Sequence, residues 1–395
     1  MRPTITILAV NTGSSSIRFS LYESGAGEEL LFSGSLTRIG LRDGRFSVTD
    51  AEGRFIECRR LDAADHSDAC RNVFSWILAH GPGLPDAVGH RIVHGGPRHS
   101  APEKVSPELL ASLAELIPYA PEHLPQALNA LRHAAWVFPG VFQVACFDTA
   151  FHAEMPPVAK LYPIPESYRS EGVQRYGFHG LSYEYLIAEL LSRREPLARK
   201  GRLILAHLGH GASMVAVHDG RSVETTMGFS PAGGLVMGTR TGDLDPGVML
   251  FLLQQGRLST EGLRDLVNRR SGMLGVSGLS DDMRDLLEAE QLNPAAHEAV
   301  ELFCYQARKQ VGALAAVLGG LDMLVFTGGI GEHAPEVRRR ICSGLEHIGI
   351  RLDPDRNQES LSVISQDSSP VSVRVIRTNE ELTIVRQTRL LLETR

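Results

Sequence analysis

Apolar residues near the N-terminus fall into a run, a break and an alternation. Ile5-Thr6-Ile7-Leu8-Ala9-Val10 is nearly continuous, and Asn11-Thr12-Gly13-Ser14-Ser15-Ser16 interrupts it. Ile17, Phe19 and Leu21 then alternate with polar neighbours. This spacing predicts strand, tight polar turn, strand. The same design returns about half a chain length later in Leu203-Ile204-Leu205-Ala206-His207-Leu208-Gly209-His210-Gly211-Ala212-Ser213-Met214-Val215-Ala216-Val217. Two such segments at that separation point to a duplication, with one hairpin in each half.

Between and beyond these hairpins the period switches repeatedly between strand-like and helix-like. Segments up to residue 57 read as strands and turns, and residues 67–80 as a helix. Residues 86–96 read as a buried strand entering the glycine turn Gly95-Gly96. Ser106-Pro107-Glu108 supplies a cap, a proline at the first helical position and an acid for the helix dipole. Leu109, Leu110, Leu113, Leu116 and Ile117 form the apolar face of that helix, and a second helix is predicted over 125–136. Residues 142–147 read as a strand that delivers Asp148 at its end, where open α/β sheets bind ligands. Residues 183–191 read as a helix. A buried strand over 321–326 runs into the glycine turn 328–332, with a helix starting near Pro335. A last strand over 371–376 leads to Thr378-Asn379-Glu380-Glu381. Arg338, Arg339 and Arg340 are expected on a solvated helix face.

The 395 residues suffice for two domains with substantial cores. A net charge of −6 without a basic run argues against nucleic acid as a partner. The N-terminal apolar run is too short for a signal peptide or a membrane span, so no membrane association is expected. Cys58, Cys70, Cys146, Cys304 and Cys342 show no metal-type spacing and read as reduced, mostly buried thiols of a cytoplasmic protein.

The chemistry follows from the turns. Gly13 with three serines places backbone N–H groups and hydroxyls on one concave surface, which suits phosphate. Asn11 at the strand end could hold a cation, and Arg18 points toward the same turn. The glycines of Gly328-Gly329-Ile330-Gly331-Glu332 allow close approach to a nucleotide at a helix N-terminus. Arg91 and Arg240 sit among glycines, and their forked donors suit carboxylate and phosphoryl oxygens. The alternative for Arg240 is a structural pair with Asp243 or Asp245. By themselves, His179 in Tyr176-Gly177-Phe178-His179-Gly180 reads more as a core or capping histidine, and Glu380 more as a solvent-facing acid at a strand end, than as functional groups.

Taken together, these segments resemble the acetate and propionate kinase family. The resemblance is carried by residues 11–19, 90–96, 147–152, 175–180, 207–213, 237–246, 326–332 and 378–382, which span the chain. It implies an α/β, two-lobed, duplicated actin-like ATPase (ribonuclease H-like) fold with a central cleft. The N-terminal lobe would comprise residues 1–150 plus 381–395, and the C-terminal nucleotide-binding lobe residues 151–380. It further implies a homodimer and Mg²⁺-dependent phosphoryl transfer between ATP/ADP and acetate/acetyl phosphate, with Mn²⁺ as the alternative metal.

Carried over residue by residue, Asn11 and Glu380 would place the metal, while Ser14, Ser16 and Arg18 would line the phosphate loop. Arg91 and Arg240 would hold the carboxylate and the phosphoryl group. His179 would donate to an equatorial oxygen of that group, and Asp148 would orient its neighbours. His207, Leu208, Gly209, His210, Gly211, Asp282, Met283, Arg284, Gly329, Ile330, Gly331, Glu332 and His333 would contact ATP. Val93, His123 and Pro231 would form the substrate pocket. An ionised carboxylate substrate needs no general base, so the task reduces to offsetting repulsion between two anions.

The chain departs from the family pattern at Arg18 (usually Lys), at His210 and His333 (usually Asn), at Glu122 and Leu124 (usually Leu and Asn) and at Ala232-Gly233 (usually Leu-Glu). The reading is an acetate kinase acting by direct in-line transfer. The alternatives are a propionate or other short-chain carboxylate kinase, a pyrophosphate-dependent variant, and, from another class, a nucleotide-switched binding module.

Overall fold

The computed structural model describes residues 4–254 and 256–394. The chain separates into two compact units, one comprising the chain up to Ala150 and from Asn379 onward, the other Phe151–Thr378. The second crossing point falls two residues earlier than the sequence boundary at 380. Asn379 caps the C-terminal helix (Glu380–Glu393) by accepting from Leu382 N at 2.9 Å, so it belongs with that helix.

The first unit holds β1 (Ile5–Thr12), β2 (Ser16–Ser24), β3 (Glu28–Thr37), β4 (Arg45–Asp50), β5 (Phe55–Arg60), β6 (Ala87–Ile92), β7 (Glu103–Lys104) and β8 (Phe142–Phe147). They form one sheet in the order β5-β4-β3-β2-β1-β6-β8-β7. β1 and β2 are an antiparallel hairpin whose register sets Asn11 opposite Arg18, while β1, β6 and β8 run parallel. Helices α1 (His66–His80), α2 (Pro107–Glu115) and α3 (Leu124–Val137) accompany the sheet. Leu8, Val10, Ile17, Phe19 and Phe46 pack with Phe74 and Trp76 of α1 and with Ala130 and Ala134 of α3. Ile92 and Phe147 pack with Leu109, Leu113, Leu124 and Leu128. As expected, Ser106 caps α2, accepting from Leu109 N at 3.2 Å, with Pro107 first in the helix.

The second unit holds β9 (Arg202–Leu208), β10 (Ala212–His218), β11 (Arg221–Thr225), β12 (Met323–Thr327) and β13 (Ser372–Val375), in the order β11-β10-β9-β12-β13. β9 and β10 form the second hairpin, and β9, β12 and β13 are parallel. Strand for strand, this repeats β3-β2-β1-β6-β8. The duplication read from the paired hairpins is therefore present in the topology, and the fold is the actin-like one. Helices α4 (Gly180–Ser192), α5 (Met283–Ala289), α6 (Pro294–Leu318), α7 (Gly328–His333) and α8 (Pro335–Cys342) complete the elements used below. Residues 328–332, expected as a turn, are already helical in α7.

The arginine triplet does not form a solvated face. Arg338 is fully buried and donates to the carbonyls of Gly331 and Glu332 at 2.9 and 3.0 Å and to Asn357 Oδ1 at 2.9 Å. Arg340 pairs with Glu290 at 2.8 Å and Glu336 at 2.6 Å, which leaves Arg339 as the exposed member. Successive helical residues turn by about 100°, so three in a row cannot share a face. Among the described residues, no helix is long and apolar enough to cross a membrane. Cys70, Cys146, Cys304 and Cys342 are buried free thiols, and Cys58 is exposed.

The C-terminal helix lies against β1, β6 and β8. It approaches β6 so closely that a Cβ on Gly89 would lie 2.2 Å from Thr388 Oγ1 and 2.4 Å from Ile384 Cγ2. Gly89→Ala is therefore expected to lower unfolding stability by about 1–3 kcal/mol, read from its denaturant midpoint. An unchanged midpoint would contradict this close packing.

Candidate functional site

Within the first unit, strand ends gather one set of polar groups. β6 carries Arg91, and the chain leaving β8 carries Asp148, whose N–H donates to Ile92 O at 2.9 Å. Thr149 Oγ1 accepts from Gly95 N at 3.1 Å, which fixes the glycine turn after β6 against the same corner. The Arg91 guanidinium donates to Asp148 Oδ2 at 2.6 and 2.9 Å and to Asn11 Oδ1 at 3.0 Å. Asn11 Nδ2 in turn donates to Glu380 Oε2 at 3.1 Å. Asn11, Arg91, Asp148 and Glu380, chosen from segments far apart in sequence, thus form one hydrogen-bonded group.

Burial pulls the Arg91 pKa down, but Asp148 and then Glu380 outweigh it, so the guanidinium is held charged. Asp148 is pushed above the ordinary carboxylate range by burial, and Glu380 adds to this against the pull of Arg91. Glu381 is also raised, by burial and then by Glu380. Arg18, exposed on β2, lies near enough to pull Glu381 back. Ser14 and Ser15 are exposed at the hairpin turn. Gly13 N donates to Ser16 O at 2.8 Å, and a Cβ at Gly13 would meet Ser16 Oγ at 2.9 Å. The serine hydroxyl thus occupies the face that only glycine leaves open. Val93, just past β6, is buried, and His123 stands half-buried at the start of α3.

Within the second unit a different set converges on the β9–β10 hairpin. His179 caps α4 in the left-handed region, φ 60°, a conformation that costs a non-glycine residue about 1–3 kcal/mol. The loop delivering it rests on His152, whose ring meets Phe178 O at 3.0 Å and Ser222 Oγ at 2.9 Å. Burial pushes His152 down to about 4, so it stays neutral. His179 stacks on His207, with ring centroids 4.2 Å apart. A Cβ built at Gly211 would lie 3.4 Å from His179 Nε2 and 3.6 Å from Arg240 Nη1. One built at Gly209 would lie 3.8 Å from Gly329 N and from His207 Nε2. The hairpin glycines, His179, His207, Arg240 and the start of α7 are therefore neighbours. Arg240 Nη1 also donates to Pro231 O at 3.0 Å.

Other predicted nucleotide contacts fall into different positions. Leu208 and Met283 are buried. Ile330 is half-buried, and Gly331 is buried with its carbonyl held by Arg338. Glu332 turns its carboxylate inward onto Gly328 N at 2.9 Å and Thr378 N at 3.3 Å, so it secures the start of α7. His333 and Arg284 are exposed, and Asp282 caps α5 through Arg284 N at 2.8 Å. His210 pairs with Asp281 at 2.9 Å, tying the hairpin to the turn before α5.

Several supporting residues have no distinguishing sequence signal: Glu381, Asp281, Ser182, Ser213 and Tyr183 stand inside or beside motif segments without a motif role.

Among the described residues no cluster of three His, Cys, Asp or Glu side chains is arranged to hold a metal. A hard cation that also binds substrate phosphates needs only one or two protein carboxylates. The first unit offers these: Asp148 Oδ1 is buried without a hydrogen-bond partner, and Asp148 and Glu381 are both raised partly by Glu380. The oxygen donors and the excess negative charge fit a divalent cation.

The model of the acetokinase family matches residues 6–386. An acetate kinase of Rhodopseudomonas palustris (strain TIE-1) is 45% identical over 387 residues, covering 96% of each chain. The crystal structure of Porphyromonas gingivalis acetate kinase superposes with a TM-score of 0.87 at 37% identity, covering 98% of this chain and all of that one. A propionate kinase from Francisella tularensis subsp. tularensis SCHU S4 superposes with a TM-score of 0.90 at 33% identity, covering 98% of this chain and 99% of that one. A match of this extent in sequence, together with the duplicated topology and the grouping of its motif residues, makes the chain a member of the acetokinase family.

Proposed function

We propose that this protein is an acetate kinase. It moves the γ-phosphoryl group of ATP reversibly to acetate, giving acetyl phosphate and ADP in one direct in-line step. The observation that carries this reading is Arg91, fixed by two bonds to Asp148 and one to Asn11. A buried guanidinium so anchored offers a directed charge to a small carboxylate, and Val93, His123 and Pro231 are assigned to its alkyl end.

Arg240 and His179, converging at Gly211, supply donors for the equatorial oxygens of the group in flight. Ser14, Ser16, Arg18 and residues 207–211 take the phosphates, and residues 282–284 and 329–333 the rest of the nucleotide. Asn11, Glu380 and Asp148 would hold Mg²⁺, with Mn²⁺ as a substitute. That ion would neutralise charge on the phosphate oxygens. The acceptor is already ionised near neutral pH, so no residue has to remove a proton from it. A homodimer and a cytoplasmic location belong to the same reading. The close superposition on a propionate kinase supports a second reading, in which the acceptor is a slightly longer acid.

Steady-state assays over acetate, propionate and butyrate, each with ATP and with pyrophosphate, are expected to give the highest kcat/KM for acetate with ATP. A clear preference for propionate would establish the second reading, and turnover with pyrophosphate alone would overturn the donor assignment.

Because Asp148 is raised, it takes up its proton before an ordinary aspartate does as the pH falls. Protonation removes the counter-charge that orients Arg91. The kcat/KM of the wild type, which reports the free enzyme, should therefore fall on the acid side with a midpoint above about 3.9, the ordinary aspartate value. Asp148→Asn should lack that limb, with kcat/KM lower by about 10²-fold throughout. An unchanged acid limb in Asp148→Asn would contradict the assignment.

A further inference from the structure

The stacked histidines of the second unit are held in the same way. His179 Nδ1 is 2.8 Å from Ser213 Oγ, and His207 Nδ1 is 2.9 Å from Ser182 Oγ. Each serine meets a second hydroxyl, Tyr183 Oη for Ser213 and Thr378 Oγ1, at 2.8 Å, for Ser182. The opposite ring nitrogens turn toward the hairpin glycines. His179 Nε2 lies 3.4 Å from the point where a Gly211 Cβ would be, and His207 Nε2 lies 3.8 Å from that of Gly209.

The His179 chain has a direction. Tyr183 and Ser213 are both fully buried. A phenol is a more acidic hydroxyl than an alcohol, and so the stronger donor of the two. The Tyr183 O–H therefore donates to Ser213 Oγ, and the single serine proton is left to point at His179 Nδ1. That nitrogen must accept, so the neutral ring carries its proton on Nε2. We propose that Tyr183 and Ser213 are positioning residues that lock His179 in its Nε2–H tautomer, presenting an uncharged donor beside Arg240 to the transferring phosphoryl group.

The opposite tautomer would aim a lone pair at the phosphoryl oxygens. Within the second unit His179 faces the stacked His207 ring, the Arg240 guanidinium and, through Ser213, the Tyr183 phenol. Arg240 already brings a full positive charge, and a second on His179 would face it. A tautomer fixed by hydrogen bonding gives donation without that repulsion. The His207 chain has no phenol at its head, so its direction is not set in this way.

The proposal rests on the reading of His179 as a donor to the group in flight, and the test separates the two. His179→Ala is expected to lower kcat by about 10²-fold; no loss would remove that reading and the proposal with it. Tyr183→Phe keeps the ring but removes the leading proton, freeing Ser213 to accept from Nδ1–H. Its kcat should fall at pH 8 by less than His179→Ala does, with little change in either KM. The deficit should shrink as the pH falls into the range where imidazoles take a second proton, because the cation donates from Nε2 regardless. In a His179→Ala background, Tyr183→Phe should cost nothing further.

A loss equal at every pH, or one that multiplies with His179→Ala, would overturn the assignment. The intact protein gives an independent reading. In ¹⁵N-histidine NMR at neutral pH, the His179 signals, identified by their loss in His179→Ala, should show protonated Nε2 and bare Nδ1. The reverse pattern would overturn the proposal whether or not Tyr183→Phe folds.

Discussion

One anion can receive a phosphoryl group from another only where fixed positive charge offsets their repulsion, and a buried fixed charge needs a partner of its own. Arg91 meets both conditions through its bonds to Asp148 and Asn11. The rest of the first unit serves that arrangement. β6 and β8 run parallel side by side, so their ends deliver Arg91 and Asp148 to the same corner. β1 brings Asn11 alongside, and Gly89 lets the C-terminal helix come close enough for Glu380 to reach Asn11. Removing one partner would leave the other as an uncompensated buried charge, which is the costly case for ion pairs of this kind.

The second unit solves a different problem with the same topology. Its hairpin carries glycine at residues 209 and 211, where a Cβ would lie in van der Waals contact with His207, or with His179 and Arg240. His179 reaches this point in a strained left-handed conformation, secured by the neutral, buried His152 beneath the loop. Arg338 plays a comparable part beyond the start of α7, capping carbonyls of that helix. Strain at a functional residue, held by a well-satisfied surround, is the expected cost of aiming a donor.

Much of this was legible from periodicity and turn chemistry. The two hairpins, the strand leading to Asp148 and the capped helix at Pro107 were predicted by local pattern, because local sterics determine them. The roles of Arg91, Arg240, His179 and Glu380 were not: each alone is ambiguous, and only the family resemblance joined segments far apart in the chain. Three kinds of feature escaped. Arg338 looked like a surface residue because a run of arginines suggests solvent, whereas helical geometry turns one of three inward. Glu332 sat in a nucleotide motif, yet its carboxylate closes its own loop. Ser182, Ser213 and Tyr183 carry no motif weight at all, since a hydroxyl that orients an imidazole differs from any other hydroxyl only in three dimensions.

In the proposed function Arg91, acting on the carboxylate, and Arg240, acting on the phosphoryl group, serve one transfer step. A double-mutant cycle on kcat with acetate and ATP, using Arg91→Ala, Arg240→Ala and the double variant, tests this directly. Groups that act as a unit are strongly non-additive, so the double variant should be little worse than the poorer single one. Losses that multiply as independent factors would show that the two arginines act on separate events, and would contradict it.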